Sequence, residues 1–222
     1  GRGVAAAVLV RAMIASASRT GTRRNLDALR ASGWRLLVSA RGCWRHEGFP
    51  YAIDNGAWTA HQRGERFDSR SFAGVVDALG DGADFVVVPD IVAGGLESLG
   101  MSRAWLPWLQ WRLPWPGPRL LIAVQDGMVP ADVVSMLSDR IGLFVGGSTD
   151  WKLDTLPMWG ELAHKSNAYL HIGRANTQRR IKLCHDVGAD SFDGSSPSRF
   201  ARNVTPLTHA VRQSSFTFRG VA

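Results

Sequence analysis

Apolar residues gather along the chain into short, nearly continuous runs: VAAAVLV (4–10), WRLLVSA (34–40), ADFVVVPD (83–90), RLLIAVQDG (119–127), IGLFVGG (141–147), NAYLHIG (167–173) and ADSFDG (189–194). A strand that is apolar at successive positions has both faces covered, which is the condition of a parallel sheet wrapped by helices. Between the runs lie stretches of helical character, at residues 22–33, 69–82, 131–140 and 176–188, some closing on a glycine suited to the position after a helix. Strand and helix alternating through short links predict a parallel α/β fold, and no linker or internal repeat divides residues 1–222 into more than one domain. The run at 4–10 resembles the apolar part of a signal peptide, but Arg11 interrupts it and no small-residue cleavage site follows, so it is read as the first buried strand.

The polar residues that end the strands choose between barrel and open sheet. Asp54 ends YAIDNG, Asp90 ends VVVPD, Gln125 follows AV, Gly146 and Gly147 end FVGG, and Asp193 ends SFDG. Five strand ends with this character describe one rim, as in a (β/α)8 TIM-type barrel, whereas an open sheet gathers its ligands at a switch point. No Gly-x-Gly-x-x-Gly opens a helix and no Walker Gly-Lys-Ser/Thr is present, which counts further against the common nucleotide folds. The expected architecture is a lean barrel. One segment, WLPWLQWRLPWPGPR (105–119), reads as irregular; its tryptophans 105, 108, 111 and 115 offer stacking on bases, a homodimer contact, or packing of a helix on the barrel.

Composition narrows the partners. No apolar run is long enough to span a bilayer. Cys43 and Cys184 stand far apart and the six histidines are scattered, so no disulfide framework, zinc motif or other metal centre is indicated, no cofactor is called for, and a reducing cytoplasm fits. The formal charge of +7 is concentrated in RTGTRR (19–24), GRANTQRRIK (173–182) and SRFARN (198–203), as a polyanionic partner requires.

The ordered set IDNGAW, VVPDI, AVQDG, FVGGS, LHIG and GADSFDGSSPSR, spread over residues 51–203, resembles the tRNA-guanine transglycosylases and their DNA-acting relatives that install 7-deazaguanine bases. The resemblance implies that Asp193 is the nucleophile, attacking C1′ of the sugar as guanine leaves and forming a covalent glycosyl–enzyme intermediate. A carboxylate suits that task, since it holds the sugar as an ester and releases it to a second nucleophile with retention. Asp54 matches the general acid/base position, although Asp-Asn-Gly also favours a turn by itself. Asp90 matches the residue that accepts from guanine N1–H and its exocyclic amine; Gln125 and the Gly147 amide, with Gly146 beside it, match the O6/N7 edge. Trp58 and Ile172 fall where the family sandwiches the base, Ile172 being equally a core residue. Arg174, Arg179, Arg180, Arg199 and Arg202 are candidate phosphate contacts, some of which would merely solvate helix faces.

Two departures refine the expectation. The family's zinc-binding element and further carboxyl-terminal sequence have no counterpart here, which favours the short relatives of phage and bacterial modification systems, with DNA rather than tRNA as substrate. Lys152 stands where a glutamate would greet an aminomethyl-bearing base; facing the incoming base, it would prefer a neutral substituent, preQ0 before preQ1. The target nucleotide must be extruded or single-stranded to reach such a pocket. Against this enzyme stand a catalytically silent barrel that binds nucleic acid or a partner subunit, and an N-glycosylase in which water takes the second step.

Overall fold

The computed structural model describes residues 12–214. Eight parallel strands, β1 (Ile14–Ser18), β2 (Arg35–Ser39), β3 (Tyr51–Asp54), β4 (Phe85–Val87), β5 (Arg119–Val124), β6 (Ile141–Val145), β7 (Leu170–Ile172) and β8 (Ser191–Gly194), close into a barrel in sequence order. Closure is made by β1, which pairs with β2 on one side and β8 on the other. Around it run α1 (Arg23–Ala31), α2 (Ala57–Gln62), α3 (Ser69–Leu79), α4 (Leu96–Arg112), α5 (Pro130–Val133), α6 (Thr149–Lys165), α7 (Gln178–Asp186), α8 (Ser196–Arg199) and α9 (Val204–Ser214). The chain is a (β/α)8 barrel, as the strand–helix alternation predicts. Among the described residues, no helix is long and apolar enough to cross a membrane.

The strand expected at residues 4–10 lies outside the described residues, and the barrel opens instead with IASAS. Its small residues carry little apolar signal, but Ala15 and Ala17 pack toward the helices while Ser16 is buried beside Asp193 in register. The segment at 105–119, expected to be irregular, is helical as far as Arg112 despite Pro107. Trp105 and Trp108 meet edge to face at 5.4 Å and pack on Phe72, so these two serve the layer between helix and barrel. Trp111 and Trp115 are exposed.

Side-chain parity divides the core. In a strand, successive side chains point to opposite faces, so each strand sends alternate residues to the helices and into the lumen. The larger cluster lies between strands and helices and contains Leu36, Val38, Ile53, Val86, Ile122 and Ile172; a smaller one fills the lumen with Leu37, Ala52, Phe85, Val87, Leu121 and Tyr169, with Phe144 against it. Fully burying one such aliphatic or aromatic side chain is worth about 1.5–3 kcal/mol. The lumen plug is therefore a floor, and what stands above it on each strand faces the open end.

Candidate active site

Counting by twos from the lumen plug leads to the mouth at the carboxyl-terminal strand ends. Ala52 leads to Asp54, Leu121 through Ala123 to Gln125, Phe144 to Gly146, Tyr169 to His171, and Ser191 to Asp193. Asp54 closes β3; its Oδ2 accepts from the Gly56 amide at 3.2 Å, and Ser39, its register neighbour on β2, hydrogen-bonds the same carboxyl. Asn55 is buried beneath, donating from Nδ2 to the Val88 carbonyl at 2.9 Å and to Asp90 Oδ1 at 2.7 Å, while its Oδ1 accepts from the Ala57 amide. Gly56 turns the chain at φ +82°, where a Cβ would come within 2.6 Å of the Arg41 side chain. The Asp-Asn-Gly segment is thus a turn and part of the mouth together.

On the far side, Gln125 donates from Nε2 to the Ile91 carbonyl at 2.8 Å and is buried. Gly147 has φ +69°, and a Cβ on it would lie 2.6 Å from the Trp151 ring and 2.7 Å from Asp126, so backbone alone fits. Gly146 is different, since a Cβ there meets only ordinary contacts. Asp193 is 5% exposed. Its Oδ1 takes two contacts, from His171 Nε2 at 3.1 Å and the Arg174 amide at 3.2 Å, and Oδ2 has no protein partner among the described residues. Arg174 reaches this position with φ +60°, an uncommon conformation for a residue bearing a side chain. Its guanidinium lies 4.4 Å from the centre of the Trp58 ring and donates to the Gly147 carbonyl.

The three acids share one electrostatic environment. Burial raises the pKa of Asp54 to about 6, with the charges of Asp193 and Asp90 adding to the rise and Ser39 and Gly56 opposing it. Burial likewise raises Asp90 to about 6, opposed by the Asn55 hydrogen bond. Asp54 and Asp193 end lumen-facing strand positions and Asp90 is tied to the turn after Asp54 through Asn55, so the charges at residues 90 and 193 reach Asp54. Among the described residues no group of three or more His, Cys, Asp or Glu is arranged to hold a metal ion.

This arrangement stores instability at neutral pH. Between about pH 4 and 6 folded Asp54 still holds a proton that the unfolded chain has released, so its contribution to stability falls as pH rises through that window and stays low above it. Asp54→Asn is expected to unfold at higher urea than the parent at pH 8, by about 1–3 kcal/mol, with the gain shrinking toward zero near pH 4. Equal midpoints at pH 8 would show that Asp54 carries no such burden.

Several expected residues stand elsewhere. Ile172 does not face a base: its parity on β7 turns it to the helix side, where it is 2% exposed within the outer core, and the lumen-facing residue of β7 is His171. Lys152 does not face an incoming base either. It is buried in the layer outside β7 beside Leu156, Ile172 and Cys184, donating from Nζ to the Gly173 carbonyl, and burial pushes its pKa down to about 8 with help from the Arg174 charge. Trp58 stands at the rim, 40% exposed, with the face of its ring covered by Arg174. Arg179, Arg199 and Arg202 are exposed, and Arg180 is half-buried. They follow β7 and β8, and Arg23 and Arg24 at the start of α1 follow β1; α1 packs on α8 and on the turn at 201–203, so these cations share one flank. His171 and Asn55 were not singled out from the sequence, although counting by twos along β7 leads to the first and the Asp-Asn-Gly turn contains the second.

A concavity of about 640 Å³ opens at the other end of the barrel, among Arg119, Glu161, His164, Tyr169 and Asp190. None of the expected site residues lines it, and barrel enzymes place their chemistry at the opposite face.

Comparison with known proteins adds the architecture alone. No protein-family profile and no curated protein sequence matches the chain. Among solved structures, tryptophan synthase from M. tuberculosis, in its open form with BRD0059 bound, is similar with a TM-score of 0.55 and 11% sequence identity over 92% of this chain and 93% of the other. A likeness at that identity speaks for the barrel and not for the chemistry.

Proposed function

We propose that this chain is a DNA guanine transglycosylase, exchanging guanine for a 7-deazaguanine base through a covalent bond between Asp193 and the sugar. The observation that carries the reading is the convergence of Asp54, Asp90 and Asp193 at one mouth, with the proton affinity of Asp54 raised by burial and by the other two acids. Asp193 Oδ2, the oxygen that His171 and the Arg174 amide leave unengaged, attacks C1′ and the bond to the guanine nitrogen breaks. Protonated Asp54 supplies a proton to the departing base and later takes one from the incoming base. Asp90 in its ionised form accepts from N1–H and the exocyclic amine, and Gln125 and the Gly147 amide serve the opposite edge. The second base, rather than water, then attacks C1′ and restores the starting configuration, provided that it fills the pocket while the ester lives.

The arginine flank after β7, β8 and β1 supports a nucleic-acid partner, with phosphates lying on α1, α7 and α8 while the extruded base enters the mouth. With Lys152 behind the strand, the charge argument for a neutral base such as preQ0 passes to Arg174, whose guanidinium is held at the mouth on the Gly147 carbonyl and the Trp58 ring.

Labelled guanine offered with single-stranded DNA, duplex DNA and tRNA tests the reading. Exchange into DNA, with preQ0 able to chase the label, is expected. Exchange into tRNA alone would transfer the substrate, abasic sites without any added base would make the protein an N-glycosylase, and tight binding without exchange would leave a binding subunit. The pH dependence is a second check: because Asp54 must be protonated and Asp90 ionised, single-turnover formation of the adduct is expected to peak near pH 6 and fall about tenfold for each unit above it. A rate that rises from pH 6 to 8 would remove Asp54 as the acid.

A further inference from the structure

His171 lies in the lumen below the mouth and is fully buried. Phe144 stacks on it at 4.8 Å and 21°, and Phe85 lies tilted at 4.9 Å on another side, so the ring cannot turn without disturbing both. Its two nitrogens are both engaged: Nδ1 is 2.7 Å from Ser191 Oγ and Nε2 is 3.1 Å from Asp193 Oδ1. Apart from Ser191, the lumen around it is apolar or aromatic, Leu37, Ala52, Phe85 and Leu121 among the residues there, and an apolar side chain at 171 would fill the space without desolvating an imidazole. What the imidazole adds is a hydrogen bond to one oxygen of the acid above it.

We propose that His171 is a positioning residue for Asp193, a role that rests on the transglycosylase reading. A carboxylate only accepts hydrogen bonds, so for Asp193 to attack as a carboxylate Nε2 must carry the proton and donate it into the contact. Nδ1 is then the acceptor and Ser191 the donor, so the pair Ser191–His171 points its hydrogen bonds at Asp193. Together with the Arg174 amide, His171 fixes Oδ1 from two directions and leaves Oδ2 as the attacking oxygen. The effect is geometric: a nucleophile held in one rotamer with one oxygen presented to C1′. His171 itself touches no substrate.

Two experiments on the full chain test this. The first needs no substrate: nitrogen-15 NMR of the histidine side chains, with His171 assigned by its loss in His171→Gln, should show Nε2 protonated. A bare Nε2 with the proton on Nδ1 would overturn the proposal. The second compares His171→Leu with His171→Gln, both checked for a native circular-dichroism spectrum and melting transition. His171→Leu should slow single-turnover adduct formation about 10- to 100-fold, with KM for free guanine within about threefold, because one hydrogen bond to a charged group is lost. His171→Gln, whose carboxamide N–H restores a donor, should recover most of that rate. An unchanged rate in His171→Leu, or an equal loss in both variants, would overturn the proposal. If the parent protein forms no adduct on DNA or tRNA, the transglycosylase reading fails, and the NMR result still decides the His171–Asp193 contact by itself.

Discussion

Replacing Asp193 by asparagine is expected to lower guanine exchange by about 10⁴-fold or more and to remove any denaturation-stable adduct, because an amide cannot form the glycosyl ester. Asparagine is a cleaner test than alanine. Its Oδ1 can still accept from the Arg174 amide and from His171 Nε2, whereas alanine leaves both donors facing a gap in a buried site. Free guanine should still bind to Asp193→Asn, since Asp90, Gln125 and Gly147 keep their places. Exchange persisting within about tenfold of the parent would mean that another group attacks the sugar, as losing a true nucleophile costs orders of magnitude more.

The second large effect belongs to Asp90, whose substitution should change which purine is accepted. Asp90 Oδ1 is held by Asn55 Nδ2 at 2.7 Å. In Asp90→Asn the carbonyl oxygen keeps that bond, which turns the new amide N–H₂ toward the base. Guanine then meets a donor with its own donors, at an expected loss in kcat/KM of about 10³-fold, the scale on which a site built for hydrogen bonds rejects a mismatched edge. Xanthine offers an acceptor where guanine has its amine, and its competition for the site should improve relative to guanine. Competitive inhibition of labelled-guanine exchange by each purine measures both effects. An unchanged guanine-to-xanthine preference would take base recognition away from Asp90.

Much of this site is readable from strand ends and parity. Each of Asp54, Gln125, Gly146 and Asp193 follows a lumen-filling residue by an even step, so a parallel barrel brings them to one mouth however far apart they stand in the chain. The same rule decides between the two readings of Ile172: it is one residue out of phase with the lumen, and because a single step along a strand moves a side chain to the opposite face, it is the core residue and not the base contact. Lys152 illustrates a different limit. It lies in the first turn of α6, and which side of a helix is buried depends on the neighbouring α7, whose Cys184 shares its cavity. Two elements are obscured by composition: β1, whose serines and alanines carry little apolar signal, and α4, whose Pro107 suggests a break that packing of Trp105 and Trp108 overrides. Arg174 was expected to meet phosphate, and its contacts with Trp58, Gly147 and Asp193 depend on a left-handed backbone that residue type alone does not announce.

The most direct measurement mixes the parent protein with guanine-containing DNA, quenches with denaturant, digests both polymers and locates the remaining sugar by mass spectrometry. A deoxyribose fragment joined to the Asp193 side chain is the predicted result. A sugar joined to any other residue, or base exchange with no protein-bound sugar at any time point, would contradict it.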